Sequence, residues 1–118
     1  MNSFSSAGGG PPPLEDQLAA LRAFDRIADL WKLTAGESAA WLLQPDRTPP
    51  LSDDALDRLS FALGIFQALR MLFPNLEQAD SWIRRTNSAL GMSALEHCLA
   101  NGTAGMRNVR DMLYAQLV

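Results

Sequence analysis

One long segment is apolar on nearly all of its sides, and it constrains the fold more than any other feature of the chain. Ser52 followed by Asp53 and Asp54 marks its start, because a serine side chain caps free backbone amides and acidic residues favour the positive end of a helix dipole. Pro74 ends it, since proline has no amide proton to donate. A helix over about residues 53–72 with apolar side chains on two faces must be covered by other elements. The sequence therefore predicts a central core helix.

The other segments show helical spacing and capping signals rather than strand patterns. Apolar residues from Leu14 to Trp31 recur at helical spacing. Capping signals occur at Thr34 with Glu37, at Asn75 with Gln78 and at Ser93 with Glu96. Asn101-Gly102 closes the helix that begins after Ser93, and Thr103 can cap one more. No segment alternates with period two for more than a few residues, so we predict an all-α fold, a compact bundle of about six helices.

The composition is that of a globular domain, and it excludes several classes of protein. Of the 118 residues, 47% are hydrophobic and 19% charged, with a net charge of -3, whereas proteins that bind nucleic acid through its phosphates usually carry a basic excess. A single cysteine, Cys98, excludes an internal disulfide. Cys98 and the single histidine, His97, are too few ligands for a structural zinc site. We therefore expect no metal or other cofactor.

The sequence does not predict secretion or a membrane span. Residues 1–13 are rich in glycine, serine and proline and predict a mobile tail outside the fold. They contain no basic stretch followed by an apolar one, as a secretion signal does. The longest apolar stretch, residues 61–73, is interrupted by Gln67 and Arg70 and is shorter than the roughly 20 residues that cross a bilayer. We expect a cytoplasmic protein with no membrane partner.

No arrangement of residues in the sequence is typical of an enzyme. Neighbouring residues on a helix point about 100° apart, so His97 and Cys98 do not face each other as base and nucleophile. The sequence has no glycine-rich phosphate loop, no paired carboxylates on one helical face and no serine elbow. We therefore expect a protein without catalytic activity.

The second half of the chain contains an ordered series of short motifs. They are Trp82, Arg84-Arg85, Thr86-Asn87, Leu90-Gly91 and Ser93-Ala94-Leu95, with Val109, Arg110, Leu113 and Tyr114 near the end. In this order the motifs resemble the toxin-binding domain of Xre/MbcA/ParS-type antitoxins. Thr86 stands where that family often has proline, and the glycine loop is shortened around Met92.

The upstream half is similar to the helices that flank the helix-turn-helix of the same Xre-like proteins, so that the resemblance covers about residues 20–118. In the family a recognition helix lies between the equivalents of Leu43 and Leu51, where this chain has the segment QPDRTPP. Such a segment cannot supply a helix that enters a major groove, and Arg47 is its candidate DNA contact. The resemblance thus implies a helical scaffold over residues 14–73 without a clear recognition helix and a toxin-binding domain over residues 74–118.

The resemblance also implies a function, that of the antitoxin in a type II toxin–antitoxin pair. Members of the family neutralise toxins, commonly RES-domain enzymes that degrade NAD, by covering the entrance to the toxin's active site with their C-terminal region. The expected partners are a cognate toxin and a second copy of the chain, and specific DNA binding is not expected. Two alternatives stay open: a DNA-binding regulator of its own operon, and an interaction module without a toxin.

Ten residues are predicted to contact the partner: Arg84, Arg85, Thr86, Asn87, Leu90, Gly91, Met92, Ser93, Arg110 and Tyr114. For Arg84 and Arg85, a favourable interaction with the C-terminal end of a helix is an equally good interpretation. Asn87 is expected to hold its loop together by side-chain hydrogen bonds, and Gly91 to supply a backbone angle that other residues avoid. Core packing is the default interpretation of Trp41, and partial exposure, which would mark a partner or dimer surface, stays open as the alternative.

Overall fold

The central helix of the fold is the one predicted from the sequence. The computed structural model describes residues 10–44 and 46–118, and in them helix α3 spans Asp53–Leu72. Ser52 caps it, since its Oγ accepts the amide proton of Ala55 at 3.1 Å. Around α3 pack α1 (Leu14–Leu30), α2 (Ala35–Leu42), α4 (Leu76–Ser81) and α5 (Ala94–Leu117). The prediction of an all-α bundle around a core helix is confirmed.

The capping signals set the starts of the helices that surround α3. At α2, Thr34 Oγ1 accepts the amide proton of Glu37 at 3.1 Å, and Glu37 Oε1 accepts that of Thr34 at 2.9 Å. Ser93 and Glu96 form the same reciprocal pair at the start of α5, with distances of 3.0 and 3.1 Å. Both capping boxes predicted at these positions are confirmed, because each is decided by residues three apart in the chain.

The described residues form five α-helices rather than six, since α5 is a single run with a kink at Gly102. The backbone there has φ 64° and ψ -143°, a combination that is essentially confined to glycine. The two predicted last helices are therefore the two limbs of α5, residues 94–101 and 103–117. A Cβ built on Gly105 would lie 2.8 Å from the carbonyl oxygen of His97, so the limbs approach closely.

None of the described helices is long and apolar enough to cross a membrane.

A short hairpin that the sequence did not predict lies between α4 and α5. After a 3₁₀ turn at Trp82–Arg84, strand β1 (Thr86–Asn87) pairs antiparallel with β2 (Met92–Ser93). Thr86 lies opposite Ser93 in this two-stranded sheet. Strands of two residues are too short to produce an alternating pattern, which is why the segment is predicted only as a turn-rich loop.

Trp41 lies in the core, as the default interpretation predicts, and the alternative of partial exposure is wrong. Trp31 and Trp41 are 1% and 0% exposed, and their ring centroids are 5.8 Å apart. The indole Nε1 of Trp41 donates to the carbonyl oxygen of Arg58 at 2.9 Å. This hydrogen bond joins the last turn of α2 to α3. The Trp41 side chain is therefore buried although α2 has only eight residues.

Residues 1–9 of the predicted tail lie outside the described residues, but its last prolines contact α1. The carbonyl oxygen of Pro12 accepts a hydrogen bond from Gln17 Nε2 at 2.9 Å. Gln17 is 1% exposed, and its Oε1 accepts the amide proton of Leu51 at 2.8 Å. This buried amide joins the start of α1 to the segment before α3, and both its oxygen and its nitrogen are hydrogen-bonded, as burial of a polar group requires.

Candidate protein interface

The hairpin before α5 contains most of the predicted partner-binding residues, and Asn87 organises it. Asn87 Oδ1 accepts the amide proton of Ala89 at 2.9 Å. The carbonyl oxygen of Asn87 accepts those of Leu90 and Gly91 at 3.1 and 2.9 Å. Gly91 has φ 72°, a conformation that L side chains rarely adopt. The structural roles predicted for Asn87 and Gly91 are thus confirmed.

The hairpin side chains divide into an outer and an inner set. Thr86, Gly91 and Met92 are exposed, with Met92 36% exposed. Leu90 is half-buried and packs against the core, and Ser93 is 6% exposed because it caps α5. A partner can therefore reach the outer set directly, while the inner set anchors the hairpin.

Arg84 and Arg85 make different contacts within the chain. The guanidinium of Arg84 binds both carboxylate oxygens of Glu37, from Nη1 at 3.0 Å and from Nη2 at 3.3 Å. The guanidinium of Arg85 donates to Ser81 Oγ at 2.8 Å and to the carbonyl oxygen of Gln78 at 3.4 Å. The contacts of Arg85 agree with the interpretation that this arginine interacts with the C-terminal end of a helix, here α4. The contact of Arg84 with α2 was not predicted.

The remaining two predicted residues lie near the far end of α5. The guanidinium carbon of Arg110 is 5.0 Å from the ring centre of Phe61 and 5.8 Å from that of Tyr114. Arg110 also pairs with Asp111 at 2.9 Å, and Arg107 lies 5.6 Å from the Phe61 ring centre. The structure thus brings Arg110 and Tyr114 together. It places them in the second limb of α5, beyond the kink, whereas the hairpin adjoins the first.

His97 and Cys98 do not form a reactive pair. Cys98 is buried, and burial raises the pKa of its thiol to about 12, so the thiol stays protonated at neutral pH. His97 Nε2 lies 3.1 Å from Nδ2 of Asn108 and so links the two limbs of α5. Within the described ranges, no three His, Cys, Asp or Glu side chains are grouped so that they could hold a metal ion.

Arg58 is the structural residue that the sequence analysis missed. It is 7% exposed, and its Nε binds Asp54 Oδ2 at 2.7 Å while its Nη1 donates to the carbonyl oxygen of Trp41 at 3.0 Å. A Cβ built on Gly102 would lie 3.0 Å from Arg58 Nη2. Arg58 therefore joins α2, α3 and the kink of α5. The available signal was an arginine on a buried face of the core helix, since arginine is almost never buried unless it is paired.

The segment between α2 and α3 contains no helix in its described residues, 43–44 and 46–52. Arg47 Nη2 binds Asp25 Oδ1 at 2.6 Å, and the Arg47 guanidinium lies 5.8 Å from the ring centre of Phe24. The charge of Arg47 is thus matched within the chain. The DNA contact expected of Arg47 stays a prediction.

Comparison with known proteins relates this surface to a family. Residues 68–116, which contain the end of α3, α4, the hairpin and nearly all of α5, match the antitoxin Xre/MbcA/ParS C-terminal toxin-binding domain. The chain is also 41% identical over 108 residues to the uncharacterized protein y4oB of Sinorhizobium fredii, with 83% of this chain and 84% of that protein covered. No solved structure matches the chain. The resemblance of the short motifs is thereby confirmed: residues 68–116 of the chain form a toxin-binding domain of the Xre/MbcA/ParS antitoxin family.

Proposed function

We propose that the chain is the antitoxin of a type II toxin–antitoxin pair, which binds a RES-domain, NAD-degrading toxin in the cytoplasm and sterically occludes it. The observation that supports this most is that the matched toxin-binding segment, residues 68–116, coincides with the hairpin and α5. The protein acts by occupying a surface and not by catalysis. A standard protein interface buries about 800 Å² on each partner, an area that this half of the chain can supply.

The proposed contact surface consists of the outer hairpin residues and the far end of α5. The matched segment, residues 68–116, contains five arginines and four carboxylates, Glu77, Asp80, Glu96 and Asp111, whereas upstream of it acidic residues predominate. The binding half is therefore the more basic half, which favours a partner surface with acidic side chains. The strongest candidate contacts are Tyr114 and, beside the hairpin, Arg85, because arginine and tyrosine dominate binding energy at interfaces. Arg85 is exposed although its guanidinium also donates to the end of α4. Tyr114 is 36% exposed.

Two substitutions test the surface against a toxin. Tyr114→Ala and Arg85→Glu are each expected to weaken toxin binding by at least about tenfold, measured by titration with a purified RES-domain toxin and by the NAD consumption of that toxin. The matched control is Arg26→Glu, an exposed arginine of α1 outside the matched segment, which should bind as the parent does.

Unchanged binding by both Tyr114→Ala and Arg85→Glu would contradict the proposed surface. If the parent protein binds no RES-domain toxin, the family function does not extend to this toxin class. A toxin of another class, a DNA-binding regulator of its own operon and an interaction module without a toxin then remain as candidates.

A second copy of the chain is the other proposed partner, and we propose that the two copies bind each other through the exposed side of α1. Leu14 and Leu18, which lie one turn apart, are 54% and 45% exposed, and Arg22, Asp25 and Asp29 continue this exposed side. We expect Leu18→Glu to convert a dimer to a monomer in sedimentation-velocity experiments. Met71→Glu is the matched control, because Met71 is 65% exposed on another helix. If the parent protein sediments as a monomer at every concentration, the proposed dimer is wrong.

A further inference from the structure

Glu37 has two partners on different parts of the molecule. One of its oxygens accepts the amide proton of Thr34 and completes the capping box of α2. Both of its oxygens bind the guanidinium of Arg84 in the fork geometry that arginine and carboxylate adopt. The Glu37 and Arg84 side chains are 26% and 37% exposed, so water covers them only in part.

This pair connects the toxin-binding segment to the rest of the chain. Arg84 lies inside the matched segment, whereas Glu37 lies outside it, in α2. Arg84 is the last residue of the 3₁₀ turn, and β1 begins two residues later at Thr86. A contact that holds Arg84 therefore fixes the point where the chain enters the hairpin.

We infer that Glu37 is a positioning residue for the partner-binding hairpin, and that Arg84 serves the interface through Glu37 rather than by touching the partner. This inference rests on the proposed toxin binding at the hairpin. Both terminal nitrogens of Arg84 are already directed at Glu37, and a partner that recruited Arg84 would have to break this contact first. A hairpin fixed before the encounter loses less conformational freedom on binding, which raises affinity without any new contact.

The charge state of the pair supports this role. The hydrogen bond from Arg84, together with the backbone hydrogen bond from Thr34, holds the pKa of Glu37 below its ordinary value of 4.5. Glu37 is therefore ionised at neutral pH. Because the pKa is lowered by folding, the stabilisation by the pair is present above the ordinary pKa and disappears as the pH falls through the lowered one.

A double-mutant cycle separates positioning from direct contact. Glu37→Gln keeps a side-chain oxygen for the Thr34 amide but removes the ion pair, and Arg84→Gln removes the same pair from the other side. The first readout is amide hydrogen exchange at Leu90 and Gly91 in the free protein, since these amides report on the hairpin. The second readout is the affinity for the purified RES-domain toxin. Glu77→Gln, at an exposed carboxylate of α4, is the matched control.

If the pair positions the hairpin, Glu37→Gln and Arg84→Gln each speed exchange and weaken binding by about threefold. The double variant is then no worse than either single variant. Weaker binding by Arg84→Gln with unchanged binding by Glu37→Gln means that Arg84 contacts the partner directly, and this overturns the inference. Unchanged exchange in both single variants also overturns it. The exchange experiment needs no toxin, so it still decides the positioning role if the parent protein fails to bind one.

Discussion

Replacing Trp41 with alanine is expected to lower the free energy of unfolding by about 3–5 kcal/mol. The Trp41 side chain is fully buried, packs against Trp31 and donates its indole proton to the carbonyl oxygen of Arg58. Truncation leaves a cavity between α2 and α3, and it leaves that carbonyl oxygen without this donor. The loss should appear in urea unfolding followed by circular dichroism as a lower midpoint, with most helical signal retained before the transition.

Trp41→Phe is the control for this experiment, because phenylalanine keeps an aromatic ring in the core and removes the indole donor. We expect a loss of about 1–3 kcal/mol, smaller than that of the alanine variant. A loss of under about 1 kcal/mol for Trp41→Ala would mean that this part of the core collapses without cost, contrary to a position that is 0% exposed.

The second large effect is expected at Gly105, where alanine should destabilise the fold by about 1–3 kcal/mol. An added Cβ would lie 2.8 Å from the carbonyl oxygen of His97 and 2.9 Å from Cβ of Asn101. These atoms belong to the first limb of α5, so the two limbs must separate. This cost is expected to exceed the gain of about 1 kcal/mol that alanine brings to a helix. The melting temperature of the variant measures the difference.

Gly64→Ala is the matched control for Gly105→Ala, since Gly64 also lies inside a helix. A Cβ at Gly64 would meet the hydroxyl of Tyr114 at 3.1 Å and Cδ of Arg110 at 3.5 Å. Both atoms are at or near the ends of flexible side chains that can move. We expect a stability equal to or above that of the parent, and equal losses in the two variants would contradict the close approach of the limbs.

Features decided by neighbours in sequence could be predicted, and contacts between distant segments could not. The boundaries of α3 and the caps at Thr34 and Ser93 depend on residues within a few positions, and the sequence carries them in full. The burial of Trp41 depends on a residue 17 positions away, and the pair of Glu37 with Arg84 spans 47 positions. Neither spacing leaves a periodic pattern in the sequence.

The candidate interface shows the same division. The side-chain hydrogen bond of Asn87 and the positive φ of Gly91 could be predicted, because both act through their own turn, whereas the two strands beside that turn could not. The separation of the predicted residues into a hairpin group and a group at Tyr114 could not be predicted from the sequence. It depends on the angle between the limbs of α5, which the contacts around Gly102 set.

The kink at Gly102 has a consequence for how a partner is selected. Arg58 lies close to Gly102, and the two limbs pack closely at Gly105, so we expect the distance between the hairpin and the Tyr114 end to vary little. A partner that docks on one end brings its second contact within reach at a high effective concentration, so the two contacts together bind far more tightly than either alone. A protein with matching chemistry but a different distance between its two contact regions binds only the hairpin or only the Tyr114 end. Such a protein lacks the gain in affinity that two simultaneous contacts provide. If the proposed contact surface is correct, the interface selects its partner by the distance between these two contact regions as well as by charge.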